Sequence, residues 1–308
     1  MKSTHIETVA IHGSMRAQKA ENSPIVPGIE LSTIYEHAKD GHREGDLKYS
    51  RLENPNRLEL EAVLNDLEKG AEAAAFSSGI AAINAVFQTL SHGDHVLIPN
   101  DVYFGTRKLM WEFSERWGLE IDFVDMTNLE VVEAAAKKNT RMIWIETPSN
   151  PQMFITDVEA MVKWAVDRNV VVALDNTWPT PFNMNPIDFG VDLVIHSTTK
   201  YLGGHSDLIG GAVIAKESGP LMDRVRSVQV VQGGVPSPFD AWMLCRSIRS
   251  FPYRMRAHNE NASQLAAFMT HLPGIEEVFY PGLVSHPGHN IAKTQMRAFG
   301  GMISFLVS

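Results

Sequence analysis

The chain has 308 residues, of which 44% are hydrophobic and 20% charged, a composition typical of globular proteins and sufficient for a large core. Its 36 acidic residues outnumber its 27 basic ones, which gives a formal net charge of -9. Because nucleic acids and anionic membranes are bound through clustered positive charge, and no stripe of Lys and Arg is present, the sequence excludes both classes of partner.

The single cysteine, Cys245, excludes an internal disulfide bond and favours a reducing compartment. It lies in the apolar stretch AWMLC, where a cysteine is expected in the core rather than as a nucleophile. The N-terminus lacks the apolar stretch of a signal peptide, and no later segment approaches ~18 uncharged apolar residues. We therefore predict a cytoplasmic location.

Residues 1–56 show little periodicity and contain turn formers, as in NSPIVPG and DGHREG, which predicts an extended arm. A segment that cannot bury itself usually lies against another surface, so we expect this arm to contact a neighbouring subunit. The stretch PNRLELEAVLNDLEKG then predicts a helix with one leucine-rich face that stops at Gly70.

From there the chain alternates amphipathic helices with short apolar runs. The predicted strands are AAAF (73–76), HVLIP (95–99), IDFV (121–124), RMIWI (141–145), VVVAL (170–174) and DLVI (192–195). Strands that alternate with helices predict an α/β fold, in which a mostly parallel sheet is covered by helices on both faces.

Beyond Pro238 the pattern changes to a long helical stretch, about 239–270, that is interrupted near Phe251-Pro252. Two further strand patterns follow, GIEEVFYPGL and GGMISFLVS. We predict a large domain over 57–245 and a smaller α+β C-terminal domain over 246–308. Because a strand pattern runs into the last residue with nothing to pair it, we expect this smaller domain to be incomplete.

Five of the predicted strands are followed by polar clusters. The clusters are SSG after AAAF, NDVYFGT after HVLIP, ETPSNP after RMIWI, DNTWPTP after VVVAL, and HSTTK after DLVI. In open parallel sheets, ligands bind at the carboxyl ends of the strands. Five clusters at such ends therefore predict a binding site along one edge of the sheet.

Two of these clusters suit the charged parts of a ligand. Ser77-Ser78-Gly79 opens a helix, whose free N–H groups and positive dipole end favour a phosphate, although the same residues can form an ordinary N-cap. Asp175 ends a strand in apolar surroundings, where its carboxylate needs a positive partner such as a protonated heterocyclic nitrogen. Alternatively, Asp175 caps the turn that follows it.

Lys200 also lies at a strand end, where it should meet a counter-charge or lose its proton. A desolvated lysine can form a Schiff base with a carbonyl compound. Alternatively, Lys200 is a solvated surface charge, as most solitary lysines are. Tyr103 can offer its ring to a planar ligand or can simply pack. Together these features predict pyridoxal 5'-phosphate (PLP) as the cofactor. No metal is predicted, because His205 and Asp207 lack a third ligand at a suitable spacing.

Specific motifs extend over nearly the whole chain: YSRLENPN (49–56), FSSGIAAI (76–83), YFGT (103–106), ETPSNP (146–151), DNTWPTP (175–181), HSTTKYLGGHSD (196–207), SPFDAW (237–242) and YPGLVSHPGH (280–289). In these motifs the chain resembles the PLP-dependent enzymes of Cys/Met metabolism, which include cystathionine γ-synthases, γ-lyases and β-lyases, methionine γ-lyases and O-acetylhomoserine sulfhydrylases. The resemblance implies PLP fold type I, similar to aspartate aminotransferase, and a homotetramer built from two catalytic dimers.

The resemblance also implies roles for individual residues. Lys200 would hold the cofactor and later move protons, Asp175 would pair with the ring nitrogen, and Tyr103, the second catalytic residue, would stack on the ring. Asn150 would reach the ring oxygen or the substrate carboxylate. The other cofactor-binding residues that it implies are Ser78, Gly79, Ile80, Thr177, Ser197 and Thr199, together with Tyr49 and Arg51, which would reach the phosphate of the neighbouring subunit. Thr198 should point into the core, because side chains alternate along an extended segment.

Some positions depart from the pattern of the family. Gly105 stands where methionine γ-lyases tend to carry cysteine, and Lys48 stands where γ-synthases and γ-lyases often have an acid that meets the distal end of the substrate. Phe104 stands where the family usually has glycine, and Ile80 stands where methionine is common. Both replacements are tolerable, and at position 80 the backbone amide, not the side chain, would contact the cofactor. The arginine that binds the substrate α-carboxylate in this family would lie beyond residue 308.

The resemblance therefore implies an amino-acid substrate and a transsulfuration enzyme. It would act on sulfur amino acids or on activated homoserine, by γ-replacement or γ-elimination, because ETPSNP and HSTTKYLGGHSD look closer to the γ-branch of the family. Four alternatives stay open: a cystathionine β-lyase, an O-acetylhomoserine sulfhydrylase, an aminotransferase of the same fold, and a non-catalytic PLP-binding protein.

Overall fold

The computed structural model of the chain describes residues 5–13, 24–36, 39–41 and 47–308. Its centre is a seven-stranded sheet with the order β1-β7-β6-β5-β4-β2-β3. The strands are β1 (Glu72–Phe76), β2 (His95–Pro99), β3 (Glu120–Val124), β4 (Thr140–Glu146), β5 (Val171–Asp175), β6 (Leu193–His196) and β7 (Gly211–Ala215). The neighbours from β3 to β6 are all parallel, which confirms the prediction of a mostly parallel sheet.

The sequence did not predict β7, which runs antiparallel to both of its neighbours, β6 and β1. It follows β6 through a loop without an intervening helix, so the alternation of helix and strand gives no signal for it. Since β1 and β6 are both antiparallel to β7, they are parallel to each other. The carboxyl end of β1 therefore lies at the same edge of the sheet as those of the other predicted strands.

Helices cover both faces of this sheet, as predicted. The helices of the described chain are α1 (Ile6–His12), α2 (Pro55–Glu68), α3 (Gly79–Phe87), α4 (Phe104–Trp117), α5 (Leu129–Ala135), α6 (Val158–Val166), α7 (Thr180–Asn183), α8 (Pro220–Gln232), α9 (Pro238–Ile248), α10 (Phe251–Met269) and α11 (His289–Gln295). In β4, Ile143 and Ile145 face the core beneath α2, α6 and α9, whereas Met142 and Trp144 face the core beneath α3, α4 and α8. This alternation is the period of two that an extended strand imposes.

The N-terminal arm is not extended throughout. Residues 6–12 form α1, which buries Val9 and Ala10 and contacts α2, so the prediction of an extended arm is wrong there. About two turns of helix are too short for a clear periodic signal. Farther along the arm, Trp242 Nε1 donates to the Pro27 carbonyl (2.9 Å) and Asn56 Nδ2 to the Gly28 carbonyl (2.8 Å). Residues 1–4, 14–23, 37–38 and 42–46 of the predicted arm lie outside the described residues.

The C-terminal part has the predicted α+β character. The helical stretch is divided between α9, which ends at Ile248, and α10, which begins at Phe251, and the antiparallel pair β8 (Ile275–Phe279) and β9 (Ser304–Val307) follows. The predicted domain boundary after residue 245 falls within α9 and stays a prediction. Cys245 is buried in the core, as expected. Among the described helices, none combines the length and the apolar character needed to cross a membrane.

Candidate active site

The carboxyl end of β1 leads directly into the N-terminus of α3. Ser78 is the N-cap, and its Oγ accepts a hydrogen bond from the Ala81 N–H (3.1 Å), so the capping interpretation of this serine is correct. The N–H groups of Gly79 and Ile80 belong to the first turn and have no partner within the helix. A Cβ added at the buried Gly79 would lie 2.8 Å from the Ser197 Cβ, so the N-terminus of α3 packs closely on the end of β6. These N–H groups can therefore bind an anion next to Ser197.

The HSTTK segment is held against its neighbours by its own polar groups. The Ser197 N–H donates to Thr177 Oγ1 (2.8 Å), and Thr199 Oγ1 donates to the Gly210 carbonyl (3.2 Å) and accepts from the Gly210 N–H (3.0 Å). Thr198 is fully buried, which confirms that it points into the core. Ser197 and Thr199 thus stand on the open side of the segment, where each is partly exposed.

Asp175 is the last residue of β5 and is 9% exposed. Its Oδ1 accepts a hydrogen bond from the Thr177 N–H (2.9 Å), so it does cap the following turn. Burial raises the pKa of Asp175, and this effect is opposed by the hydrogen bonds from Thr177 and by the charge of His196. A buried carboxylate in this position is well suited to a positively charged partner at the edge of the sheet.

A second buried carboxylate, Glu146, stands opposite Asp175 at the end of β4. Its Oε2 accepts from the Tyr103 N–H (3.1 Å), and the Asn150 N–H also donates to it. Burial, followed by the charge of Asp175, raises the pKa of Glu146 well above its ordinary value. The sequence interpretation missed this residue, although ETPSNP begins with it. Reading the register of adjacent parallel strands would have placed it beside Asp175.

Lys200 and Tyr103 both lie on the exposed side of this edge. Lys200 follows β6 in a turn and is exposed, so the expectation that it is desolvated is not met, and no salt bridge to it is found within the described residues. This exposure is local to the lysine, because Leu202 and Gly203 in the same turn are buried. Tyr103 is 45% exposed at the start of α4, and a Cβ added at Gly105 would overlap its ring. The missing side chain at Gly105 therefore leaves room for the ring of Tyr103.

Comparisons with known proteins show which family the chain belongs to. Residues 7–308 match the family described as Cys/Met metabolism PLP-dependent enzyme. The chain belongs to this family. It is 42% identical over 300 residues to a probable cystathionine γ-synthase of Herpetosiphon aurantiacus, covering 97% of this chain and 93% of the relative. It is 44% identical to a cystathionine γ-lyase of Bacillus subtilis, covering 97% and 78% of the two chains, and 42% identical to a cystathionine β-lyase of Lactococcus lactis, covering 98% and 79%.

A solved structure of a similar enzyme shows the same fold. The cystathionine γ-lyase of Lactobacillus plantarum, complexed with L-serine, superposes with a TM-score of 0.95 at 38% identity, covering 99% of this chain and 79% of that one. This Cys/Met metabolism enzyme therefore has PLP fold type I, and PLP is its cofactor.

The residues at the sheet edge fit PLP. The first turn of α3, closed by Gly79 against Ser197, provides N–H groups for a phosphate, and the buried Asp175 provides an anion for a ring nitrogen. Lys200 offers an amine on the open side of the same edge. Each charged or reactive part of the cofactor thus has a complementary group in this chain.

The two arm residues predicted for a neighbouring subunit lie together beside α8. The Arg51 guanidinium lies 5.2 Å from the centroid of the Tyr49 ring, and its Nη1 donates to the Val230 carbonyl (2.6 Å). Arg51 is exposed and Tyr49 is partly exposed. Their role toward the phosphate of a second subunit stays a prediction.

Proposed function

We propose that this enzyme catalyses γ-replacement or γ-elimination on sulfur amino acids or activated homoserine. The observation that carries the proposal is the common sheet edge, where the α3 N-terminus, the buried Asp175 and Lys200 converge in a chain related to γ-synthases and γ-lyases. Gly105 disfavours a methionine γ-lyase, because the sequence resemblance implies that those enzymes tend to carry cysteine at this position.

Each of these residues would have a distinct task. When bound, PLP supplies an electron sink for negative charge at the substrate Cα. Asp175 would keep the ring nitrogen protonated, while the N–H groups of Gly79 and Ile80 and the hydroxyls of Ser197 and Thr199 would hold the phosphate. The Lys200 amine would remove the Cα proton and return a proton later in the reaction. Tyr103 would cover the ring and limit the access of water.

A small substrate panel tests this proposal. The protein is loaded with PLP and incubated with cystathionine alone, or with O-succinylhomoserine and cysteine. Cysteine, 2-oxobutyrate and ammonia from cystathionine indicate γ-elimination, and formation of cystathionine indicates γ-replacement. Lys200→Ala should abolish either activity, because it removes the amine that is proposed to move the Cα proton.

The alternatives predict other products. Homocysteine, pyruvate and ammonia from cystathionine would identify a β-lyase, and sulfide consumption with O-acetylhomoserine would identify a sulfhydrylase. Conversion of the cofactor to its pyridoxamine form with release of a 2-oxoacid would identify an aminotransferase. The β-lyase and aminotransferase outcomes would overturn γ-chemistry, whereas sulfhydrylase activity would be γ-replacement with sulfide in place of cysteine. PLP binding without turnover of any of these substrates would also overturn the proposal.

We also propose that the enzyme is a cytoplasmic homo-oligomer in which the arm is covered by a neighbouring subunit. Ile25, Leu31 and Ile34 are 78%, 72% and 69% exposed, although large apolar side chains on one short segment favour burial. Light scattering of the wild type and of the variant Leu31→Glu/Ile34→Glu measures the assembly. We expect the variant to dissociate; equal masses for the two proteins would contradict the proposed contact.

A further inference from the structure

Two carboxylates join the loop after β2 to the loop after β4, at the sheet edge that forms the candidate site. Asp101 belongs to the first loop, and its Oδ2 accepts from the Ser149 hydroxyl (2.5 Å) and from the Gln152 N–H (3.0 Å). Glu146 ends β4 and reaches in the opposite direction, where its Oε2 accepts from the Tyr103 N–H (3.1 Å). Each loop therefore supplies a carboxylate that binds the backbone of the other.

Glu146 also accepts a hydrogen bond within its own loop, from the Asn150 N–H. One side chain thus binds the backbone of Tyr103 and the backbone of Asn150, which lie on different loops and are both predicted to contact PLP. Because Glu146 is only 8% exposed, it cannot exchange these donors for water without a cost in free energy. The two hydrogen bonds therefore fix the distance between the two candidate site residues.

These hydrogen bonds depend on the length of the Glu146 side chain and not on its charge. Burial raises the pKa of Glu146 well above its ordinary value, but a protonated carboxyl group still has an oxygen that accepts. An effect of its charge would instead reach Asp175, which is its register partner on β5. Substitutions that change the length and the charge of this side chain separately can distinguish the two effects.

We propose that Glu146 and Asp101 are positioning residues for PLP, which hold the side chains of Tyr103 and Asn150 in the places where they contact the cofactor. Both carboxylates act through the backbone of the two loops. This inference rests on the function proposed above, because the positions of Tyr103 and Asn150 matter only if these side chains contact PLP. It is independent of which sulfur amino acid the enzyme takes.

Two conservative substitutions of Glu146 test the proposal. Glu146→Asp keeps the charge, but its side chain is one methylene shorter, which withdraws the oxygens from the Tyr103 N–H. Glu146→Gln keeps the length and one acceptor oxygen but has no charge. We expect Glu146→Asp to bind PLP about tenfold more weakly than the wild type, and Glu146→Gln to bind it at least as tightly. Titration of the apo-proteins with PLP, followed by absorbance, measures the affinities.

A second background shows whether Glu146 acts through the two proposed side chains. In Tyr103→Ala/Asn150→Ala, the further substitution Glu146→Asp should cause no additional loss of PLP affinity, because the groups that it positions are absent. The same loss in both backgrounds would indicate a structural role alone and would overturn the proposal. So would wild-type affinity in the single variant Glu146→Asp, or an equal loss in Glu146→Gln, which would assign the effect to charge.

Asp101→Ala tests the second carboxylate, and it replaces Glu146→Asp if that variant does not fold. Asp101 is only partly buried, so its truncation leaves no large cavity. We expect PLP affinity to fall about threefold, and this loss should disappear in the Tyr103→Ala/Asn150→Ala background. Wild-type affinity in Asp101→Ala, or a loss that persists in that background, would overturn the proposal.

Glu61, in α2, provides a matched control. It is 4% exposed, and its Oε1 accepts from the Ala75 N–H (2.8 Å), so it is another buried carboxylate bonded to a backbone amide. The charged and polar side chains that it contacts, Arg57, Arg226 and Gln229, are not candidate site residues. We expect Glu61→Asp to leave the PLP affinity unchanged. A loss as large as that of Glu146→Asp would overturn the proposal.

These titrations contain no substrate, so their result is independent of the substrate panel. If the panel shows no γ-chemistry, the effect of Glu146→Asp on PLP binding can still be measured. Conversely, wild-type PLP affinity in Tyr103→Ala/Asn150→Ala would contradict the assigned contacts of these two side chains and would overturn this inference, whatever reaction the enzyme catalyses.

Discussion

The ring of Tyr103 lies where it does because residue 105 has no side chain. A Cβ at Gly105 would overlap the Tyr103 ring and would come within 3.0 Å of Ile80 Cδ1. Gly105 is therefore a packing requirement of the candidate site, since it is in contact with two of the predicted cofactor-binding residues. Any side chain at this position has to displace the aromatic ring that is proposed to cover PLP.

Gly105→Ala should consequently weaken cofactor binding through the position of Tyr103. Overpacking of this kind costs about 1–3 kcal/mol, which corresponds to roughly a tenfold or larger loss of PLP affinity if the ring is displaced. Equilibrium titration of the apo-protein with PLP measures this loss. Gly28→Ala is the control, because nothing lies within 4 Å of a Cβ at Gly28. The PLP affinity of this variant should equal that of the wild type. Unchanged affinity in Gly105→Ala would show that the ring does not contribute to binding.

At the residue scale, sequence reasoning found polar groups at strand ends and missed the contacts between distant segments of the chain. Ser78 and Asp175 were recognisable because polar residues directly follow apolar runs. The hydrogen bond between His196 Nε2 and Glu68 Oε1 (2.6 Å) was not, since the two residues are 128 positions apart and meet only in the folded sheet. The exposure of Lys200 was also unpredictable, because it depends on the path of the turn after β6.

At the scale of elements, the turn that follows Lys200 is held by a helix from the C-terminal part of the chain. Arg254 of α10 donates from Nη1 to the Tyr201 carbonyl (2.6 Å) and from Nη2 to the Leu202 carbonyl (3.3 Å). Gly204 has a φ of +71°, and a Cβ there would overlap the Arg254 guanidinium. This contact connects α10 to the lysine that is proposed to hold the cofactor.

Gly204→Ala should therefore disturb this contact in addition to straining the backbone. Left-handed φ alone costs about 1–2 kcal/mol in a non-glycine residue, and losing charged hydrogen bonds from Arg254 adds about 1–3 kcal/mol. Gly93→Ala isolates the first effect, since Gly93 has a φ of +86° with nothing within 4 Å of its Cβ. Urea unfolding should show a larger loss of stability for Gly204→Ala than for Gly93→Ala. Equal losses would mean that Arg254 simply moves aside.

A second arginine makes a similar connection to α7, the short helix that follows β5. Arg297, which follows α11, donates from Nε to the Phe182 carbonyl (2.8 Å) and from Nη2 to the Pro181 carbonyl (2.6 Å). The segments that follow β5 and β6 are therefore both hydrogen-bonded to arginines from the C-terminal part of the chain. A periodic pattern does not predict these hydrogen bonds, because an arginine that binds backbone carbonyls cannot be distinguished in sequence from an arginine exposed to solvent. Periodicity predicted most helices and strands but not the contacts between their loops.

At the scale of the whole molecule, one partly buried carboxylate gives stability a dependence on pH. Burial raises the pKa of Glu59, in α2, to about 7 from 4.5, although the charge of Arg249 opposes the shift. The folded protein thus binds this proton more tightly than the unfolded chain does. Its contribution to stability is fully present below pH 4.5 and is lost as the pH rises through 7.

Glu59→Gln removes this titration, so its free energy of unfolding should fall less than that of the wild type between pH 4.5 and pH 7. Between these two pH values, the loss in free energy of unfolding is larger for the wild type than for Glu59→Gln by at most about 3 kcal/mol. Urea unfolding of the apo-proteins at several pH values measures both curves. Glu112→Gln, on an exposed position of α4, should run parallel to the wild type. If the free energy of unfolding of Glu59→Gln also ran parallel to that of the wild type, the raised pKa of Glu59 would be contradicted.

The order of the strands also determines when the site can form during synthesis. β1, the first strand of the sheet to leave the ribosome, has only β7 as a neighbour, and β7 is the last. Ser78, at the end of β1, therefore meets the end of β6 only after residue 215 has been made. Contacts between such distant segments form slowly, because a long loop must close first. A nascent chain should accordingly bind PLP only after the whole sheet has formed. PLP binding would then serve as a marker of folding in addition to its role in catalysis.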